Sequence, residues 1–196
     1  MAKKREEAEA KNVLVVLGSP RRKGNSAVLA EKIAKGARNC GAKVKTVFLQ
    51  DLNIAPCRAC LACQKPKAQG CVLRDDMQPI YRDLKESDAW ILASPVYWFT
   101  MSAQLKIFMD RCFALAGAGN QAFQGKKIAI AMSFGDRDPF NSGCVNALRT
   151  FQDAYRYAGA EIVGAVYGSA MRAGEISKNR ELMKEAEEIG AALVAD

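Results

Sequence analysis

Histidine is absent from this 196-residue sequence. That absence excludes Ser-His-Asp triads, Cys-His dyads and zinc or iron sites with histidine ligands. Any catalysis must therefore rely on carboxylates, lysine, arginine, thiols, backbone groups or a bound cofactor.

Long apolar runs are also absent, since none approaches the roughly 20 residues of a membrane-spanning helix. Residues 1–7 are charged and no apolar stretch follows them, so the start lacks the pattern of a secretory signal. We expect a cytoplasmic protein without a membrane partner. The charged, alanine-rich residues 1–11 are expected to be disordered or frayed, and residues 12–196 to form a single domain.

The formal net charge is +8, but the basic residues are scattered and do not alternate with aromatic residues as in nucleic-acid-binding modules. An anionic cofactor and a solvated surface explain the charge more simply than a nucleic-acid partner, which we do not expect.

Short apolar runs alternate with amphipathic stretches along the whole chain. Strands are predicted at 12–17, 43–49, 89–94, 127–134 and 161–167, and helices at 26–40, 77–86, 103–114, 144–157 and 178–194. This alternation predicts an α/β fold, a doubly wound five-stranded parallel sheet of order 2-1-3-4-5 with helices on both faces. A ligand of such a sheet lies beyond the carboxyl ends of strands 1 and 3.

The segment GSPRRKGNS, residues 18–26, connects the first strand to the first helix. A helix N-terminus favours an anion, and this loop adds hydroxyl, amide and guanidinium donors. A polar turn that merely caps the helix is the alternative. The candidate phosphate-binding residues are Ser19, Arg21, Gly24, Asn25 and Ser26.

Two further loops follow strand ends. The loop after the third strand holds three consecutive aromatic residues, which predict contact with a planar ring or, alternatively, a dimer interface. The loop after the fourth strand contains a glycine that permits close approach of a ligand, although an ordinary turn explains it almost as well. The candidate residues are Pro95, Val96, Tyr97, Trp98 and Phe99 in the former loop, and Ser133, Gly135 and Asp136 in the latter.

Residues 50–76 form a long cysteine-rich insertion without clear periodicity. Cys57, Cys60, Cys63 and Cys71 can converge on one centre, and a compact run closed by a fourth thiol suits a cubane cluster better than zinc. Zinc, a redox dithiol and free thiols stay open as alternatives. Cys40, Cys112 and Cys144 lie on predicted helices and are expected to be small buried hydrophobic residues.

Acidic residues frame the next helices. Asp75 and Asp76 directly precede a predicted helix and are expected to cap its N-terminus. Asp110 and Arg111 are expected to form a salt-bridged or solvated pair near a helix end.

The loops GSPRRKGNS and SPVYWFTMSAQLKIFMDR, together with the strand order, resemble the NAD(P)H-dependent FMN reductase branch of the flavodoxin-like flavoproteins. The resemblance runs from about Lys11 to the C-terminus. It implies an FMN-dependent oxidoreductase whose first loop binds the FMN phosphate, whose residues 95–99 contact the isoalloxazine ring and whose loop after strand four completes the site. It also implies a homodimer or homotetramer. The flavin carries the chemistry, so no catalytic side chain is required.

The cysteine run resembles the iron-sulfur flavoproteins, a subset of that branch, and this resemblance implies [4Fe-4S] ligands at Cys57, Cys60, Cys63 and Cys71. Electrons would then pass between FMN and the cluster, with a ferredoxin-like donor and a small-molecule acceptor. The alternative is an NAD(P)H-dependent FMN or quinone reductase without a cluster, in which the cysteine loop is structural or binds zinc. A zinc-stabilised anion- or nucleic-acid-binding domain is a third possibility.

Overall fold

The computed structural model describes residues 10–116 and 121–195, so most of the N-terminal segment predicted to fray lies outside the described residues. The strands are β1 Asn12–Leu17, β2 Lys43–Phe48, β3 Ala89–Tyr97, β4 Thr100–Met101, β5 Lys127–Phe134 and β6 Glu161–Ser169. The helices are α1 Asn25–Asn39, α2 Met77–Glu86, α3 Ala103–Arg111, α4 Cys144–Tyr157 and α5 Arg180–Val194.

The strands form one sheet of order β2-β1-β3-β5-β6, and all neighbours along this path are parallel. The predicted flavodoxin-like fold is therefore confirmed, with β5 and β6 as the predicted fourth and fifth strands. The short β4 is an addition, which pairs antiparallel with the end of β3.

The two faces of the sheet bury separate cores. Leu14 and Val16 of β1 belong to the core beneath α2, α3 and α4, whereas Val13 and Val15 belong to the core beneath α1 and α5. A central parallel strand is covered on both faces, which is why its sequence is a continuous apolar run.

Several boundaries differ from the sequence prediction. β3 continues to Tyr97, because the chain folds back there into β4 and gains a strand partner. α3 ends at Arg111 and a 3₁₀ turn follows at Cys112–Leu115, whereas α5 begins only at Arg180. A 3₁₀ turn at Leu49–Asp51 leads into the segment 50–76, and another occurs within it at Ala62–Gln64. Among the described residues, no helix is long and apolar enough to cross a membrane.

Candidate functional site

A cleft of about 230 Å³ opens at the carboxyl edge of the sheet, where the loops after β1, β3, β5 and β6 meet. Its lining consists of Ser19, Arg21, Gly24, Asn25, Ser26, Pro95, Val96, Tyr97, Ser133, Phe134, Gly135, Ala170, Met171 and Ala173. The structure thus brings together most of the residues that the sequence proposes for a flavin.

The N-terminus of α1 faces this cleft with free donors. Gly24 has an extended backbone and no capping side chain, and the first intrahelical bond runs from the Val28 N–H to its carbonyl at 3.0 Å. The N–H groups of Asn25, Ser26 and Ala27 therefore have no partner inside the helix. Together with the helix dipole, they favour an anion at this position.

Two serine hydroxyls add to this cradle. The Ser26 Oγ is buried and, within the described part of the chain, has no hydrogen-bond partner. The Ser19 Oγ accepts the Arg21 N–H at 3.0 Å, which leaves its own proton free to donate. A Cβ on Gly24 would lie 2.9 Å from that Oγ, so glycine keeps the turn this tight.

The basic residues of the loop have separate positions. Arg22 forms an ion pair with Asp51, and its guanidinium lies 4.4 Å from the centre of the Phe48 ring. Arg21 lines the cleft and forms no ion pair with any described residue, so its charge is available to a ligand.

Asn25 lines the cleft, but its carboxamide already has protein partners. The Nδ2 donates to the carbonyls of Ala170 at 3.2 Å and Arg172 at 3.0 Å, and the Oδ1 accepts the Ile176 N–H at 3.3 Å. The side chain therefore joins α1 to the loop after β6, and the backbone N–H of Asn25 is one of the first-turn donors without a partner inside the helix.

The loop after β3 is a hairpin with Trp98 and Phe99 as its turn residues. Both have left-handed backbones, at φ 47° and 67°, and neither lines the cleft. Pro95, Val96 and Tyr97 do line it, because they precede the turn. The rings of the two turn residues therefore lie outside the cleft lining, and Trp98 is 92% exposed.

Ser133 at the end of β5 and Gly135 just after it line the cleft, whereas Asp136 lies outside the lining and accepts the Arg137 N–H at 2.5 Å. A Cβ on Gly135 would lie 2.6 Å from the Met171 sulfur, so the absence of a side chain makes room for Met171.

Sequence reasoning missed the loop after β6, which supplies Ala170, Met171 and Ala173. Glu175 organises this loop by accepting the Met171 and Arg172 N–H groups at 3.0 and 2.9 Å, and these bonds lower the pKa of its carboxyl. The predicted strand order could have indicated this loop. Because β6 is parallel to β5, the loop after β6 opens at the same edge of the sheet as the loop after β5.

Buried serines connect the first two loops. The Ser102 hydroxyl, at the N-cap of α3, donates to the Gly18 carbonyl at 2.7 Å. The Ser94 hydroxyl accepts the Ser102 N–H at 2.9 Å. These bonds hold the loop of residues 18–26 against the end of β3.

The cysteine loop lies on the same face of the sheet as α2 and α3. Cys57 and Cys60 are exposed, whereas Cys63 and Cys71 are half-buried against that core. All of them are free thiols. In residues 10–116 and 121–195, no three cysteine or acidic side chains form a group that could hold a metal ion.

The ends of this loop are held together by a buried ion pair. The Arg111 side chain is fully buried, and its Nη1 and Nη2 donate to the Asp75 carboxylate at 2.5 and 3.0 Å. Nη1 also donates to the Ala55 carbonyl at 2.7 Å, and the Ala55 N–H donates to Asp75 at 3.1 Å. One step outward, the Asn53 N–H donates to Asp76 at 2.7 Å.

This arrangement revises the expected roles of the acidic residues. Asp75 does accept the Met77 N–H at 3.1 Å as a helix cap, but it also pairs with Arg111. Asp110 pairs with Lys106 instead. Burial alone would raise the pKa of Asp75, but the Arg111 guanidinium and the two N–H donors lower it below its ordinary value.

The sequence profile of the NADPH-dependent FMN reductase family matches residues 11–172. The chain belongs to this family. The predictions of family membership and of an FMN-dependent oxidoreductase are therefore confirmed.

Two relatives in sequence and one solved structure are similar to this chain. An iron-sulfur flavoprotein of Archaeoglobus fulgidus is 37% identical over 140 residues, which are 71% of this chain and 70% of that protein. A putative NAD(P)H-dependent FMN-containing oxidoreductase of Bacillus subtilis is 28% identical and covers 89% of this chain and 93% of its own. The structure of an NAD(P)H:quinone oxidoreductase from Methanothermobacter marburgensis superposes with a TM-score of 0.75 at 18% identity, covering 95% and 98%.

Proposed function

We propose that the cleft binds FMN, with the phosphate at the N-terminus of α1 and the isoalloxazine ring beside residues 95–97. The observation that carries this proposal is the buried, unpartnered Ser26 hydroxyl beside the free N–H groups of the first turn. A buried donor without a partner costs about 1–3 kcal/mol, which a phosphate oxygen would offset.

Each part of the cleft then has a binding task. Ser19, Ser26 and the helix N–H groups bind the phosphate, and Arg21 neutralises its charge. Backbone and side chains of residues 95–97, 133–135 and 170–173 orient the ring and exclude water from it. When bound, FMN supplies hydride and single-electron chemistry.

Titration of apoprotein with FMN and with riboflavin, which lacks the phosphate, tests this assignment. Ser26→Ala is expected to weaken FMN binding about tenfold, since a hydrogen bond to a charged group contributes about 1.5 kcal/mol. Riboflavin binding should not change. Ser177→Ala, an exposed serine of the loop before α5, is the control and should bind FMN like the parent. Equal weakening of both ligands would place the phosphate elsewhere.

We further propose that Cys57, Cys60, Cys63 and Cys71 hold a [4Fe-4S] cluster, which would supply one-electron chemistry. The donor set fits this group, because thiolates are its usual ligands. Non-glycine left-handed residues, Ala59 at φ 51° and Leu61 at φ 55°, lie among the thiols, and such outliers collect at functional sites. The regular structure of the loop between its pinned ends is the single 3₁₀ turn Ala62–Gln64, which contains Cys63, so its thiols can converge without disrupting an α-helix or a strand.

A reductase that uses NAD(P)H without a cluster is the second candidate. The exposure of Cys57 and Cys60 favours it, as does the likeness to the putative NAD(P)H-dependent FMN-containing oxidoreductase of B. subtilis. In this case the cysteine loop is structural or binds zinc.

Metal analysis and the visible spectrum of anaerobically purified protein separate the two candidates. The cluster predicts iron and sulfide in equal amounts with a broad absorption that dithionite bleaches. Flavin absorption with zinc, or with no metal, supports the reductase. Colourless protein that takes up no FMN would contradict both.

Electron donors separate them as well. The cluster-containing form should be reduced faster by a ferredoxin-like donor than by NAD(P)H, and it passes the electrons to a small-molecule acceptor. Rapid NADPH oxidation by iron-free protein would favour the reductase. We also propose a cytoplasmic homodimer or homotetramer, for which light scattering of the FMN-loaded protein gives the mass.

A further inference from the structure

The loop after β6 places an apolar side chain at the cleft. Of its lining residues Ala170, Met171 and Ala173, only Met171 has a long side chain, and this residue is 71% exposed. Its sulfur lies against Gly135, where a Cβ would be 2.6 Å away. Thioethers make favourable contacts with aromatic rings, so Met171 is available to a planar ligand in the cleft.

Two polar side chains hold the backbone on both sides of Met171. The Asn25 amide donates to the carbonyls of Ala170 and Arg172, the residues directly before and after it. The Glu175 carboxylate accepts the N–H groups of Met171 and Arg172. The position of this loop therefore depends on Asn25 from outside the loop and on Glu175 from within it.

Asn25 also belongs to the other end of the cleft. It is the first residue of α1, it is 8% exposed, and its backbone N–H has no partner inside the helix. Its neighbour Ser26 carries the buried hydroxyl without a partner among the described residues. One residue thus combines a free donor of the first turn with a side chain bonded to residues 170–176.

We propose that Asn25 is a positioning residue that couples the two halves of the flavin site, so that an anion at the first turn of α1 strengthens binding of the ring. The inference rests on the proposed function, which assigns the phosphate to that turn and the ring to residues 95–97, 133–135 and 170–173. An anion bound to the first turn orders it, and with it the Asn25 carboxamide and the loop that this carboxamide holds. Because the cost of ordering the loop is met when the first half binds, the second half binds more tightly.

A direct bond from the Asn25 side chain to the phosphate fits less well. A carboxamide has two N–H donors, and the two carbonyls of the loop accept them. Its remaining polar atom, Oδ1, accepts the Ile176 N–H and cannot donate to an anion. Ile176 is itself buried in the core beneath α1 and α5, so the far end of the loop is fixed independently.

The test measures riboflavin binding to apoprotein by fluorescence quenching, with saturating inorganic phosphate and with sodium chloride at the same ionic strength. Phosphate should lower the riboflavin dissociation constant of the parent at least about fivefold, and riboflavin should lower that of phosphate by the same factor. Asn25→Ala is expected to reduce this coupling factor to less than about two. Its affinity for phosphate alone should stay within about twofold of the parent, because the backbone N–H groups remain.

The matched control is Asn39→Ala, which removes an asparagine side chain at the other end of the same helix and should keep the coupling factor of the parent. Glu175→Ala is a second test variant, because Glu175 lies outside the cleft lining and acts on the same loop. It should lower the coupling factor and leave the affinity for phosphate unchanged. A variant that merely loosens the fold would weaken both ligands and keep the factor.

Two results would overturn the proposal. One is a coupling factor that Asn25→Ala and Glu175→Ala leave as it is in the parent. The other is an Asn25→Ala variant that loses affinity for phosphate while its riboflavin affinity in chloride is unchanged, as expected of a direct ligand. A parent that binds FMN no more tightly than riboflavin would instead contradict the proposed phosphate site, so the two failures are distinguishable.

Discussion

At the scale of single residues, Arg111 decides how the cysteine loop is attached to the domain. Its guanidinium is removed from water, and a buried charge is tolerated only with a close partner. Asp75 provides that partner from near one end of the loop, and the Ala55 carbonyl is bonded near the other end. The Arg111 Nε has no partner among the described residues, which makes the carboxylate still more important.

We predict that Asp75→Asn lowers the free energy of unfolding at pH 7 by about 3 kcal/mol, because it leaves Arg111 buried without a counter-charge. The pKa of Asp75 is lowered in the folded state, so its contribution is present above the ordinary carboxyl range near pH 4 and is lost as the pH falls through the folded value. Urea unfolding from pH 7 to pH 3 should therefore show a smaller acid-side loss in the variant than in the parent.

Asp110→Asn is the matched control, because this exposed carboxylate pairs with Lys106 one turn away. Its effect should stay within about 0.5 kcal/mol. An Asp75→Asn variant as stable as this control would show that Arg111 does not depend on the ion pair.

Local sequence predicts the residues whose role depends on their neighbours in the chain. The loop at 18–26 was predictable because a strand, a glycine-rich turn and a helix N-terminus follow one another directly. The partners of Asn25 at Ala170 and Arg172, and the pair of Arg111 with Asp75, join distant positions that no local pattern connects. These partners depend on which elements the fold brings together.

At the scale of elements, the β3–β4 hairpin has a turn of unusual composition. Val96 pairs with Met101 and Tyr97 with Thr100, so Trp98 and Phe99 occupy the two central positions. Both positions require positive φ, for which asparagine and glycine are preferred. Gly143 allows the close approach, since a Cβ there would lie 2.4 Å from the Phe99 oxygen, and Asn146 donates to that oxygen at 3.1 Å.

Replacement of Trp98 by asparagine should therefore stabilise the fold. We predict that Trp98→Asn raises the free energy of unfolding by about 0.5–1 kcal/mol, because the ring is almost wholly exposed while its backbone is left-handed. Tyr97→Asn, at an extended position of β3, should lower it instead. Urea unfolding of both variants provides the comparison. A less stable Trp98→Asn would mean that the edge-to-face contact of the Trp98 ring with Phe99, at 6.0 Å between ring centres, outweighs the relief of backbone strain.

Helices α1 and α5 touch through glycine. A Cβ on Gly190 would lie 1.9 Å from the Ile33 carbonyl oxygen, and one on Gly36 would lie 2.0 Å from the Glu187 oxygen. The obstacle in both cases is backbone, which cannot rotate away. The two helices must move apart to admit a methyl group.

We predict that Gly190→Ala lowers the free energy of unfolding by about 2–3 kcal/mol. Helix propensity alone would favour alanine here by about 1 kcal/mol. A loss of stability would therefore show that the contact between Gly190 and the Ile33 backbone outweighs helix propensity. Glu188→Ala, on the exposed face of the same helix, should change stability by less than about 0.5 kcal/mol. Thermal or urea unfolding that shows Gly190→Ala to be stabilising would contradict the close packing.

At the scale of the whole molecule, α3 connects the two candidate cofactor sites. Its N-cap Ser102 donates a hydrogen bond to Gly18 in the loop of residues 18–26. Arg111, at the other end of the helix, holds the cysteine loop through Asp75. The sheet order predicted from the sequence already places the cleft at the right edge. The sequence could not predict that one helix connects both loops, because the bonds of Ser102 and Arg111 depend on how the helix is rotated and seated.

The buried cysteines allow a test of how strongly FMN stabilises the whole fold. Cys112 and Cys144 are buried, and burial raises the pKa of Cys112 and raises that of Cys144 to about 11, so alkylation requires unfolding. FMN at one hundred times its dissociation constant should lower the unfolded population, and hence the alkylation rate of both thiols, about 100-fold. Cys57 and Cys60 are exposed and should react at unchanged rates in the same iron-free sample.

Mass spectrometry after iodoacetamide treatment measures the extent of alkylation at every cysteine in one experiment. A Cys112 rate that ignores FMN, beside a Cys144 rate that responds, would show that the 3₁₀ turn at Cys112–Leu115 opens locally while the rest of the sheet stays folded.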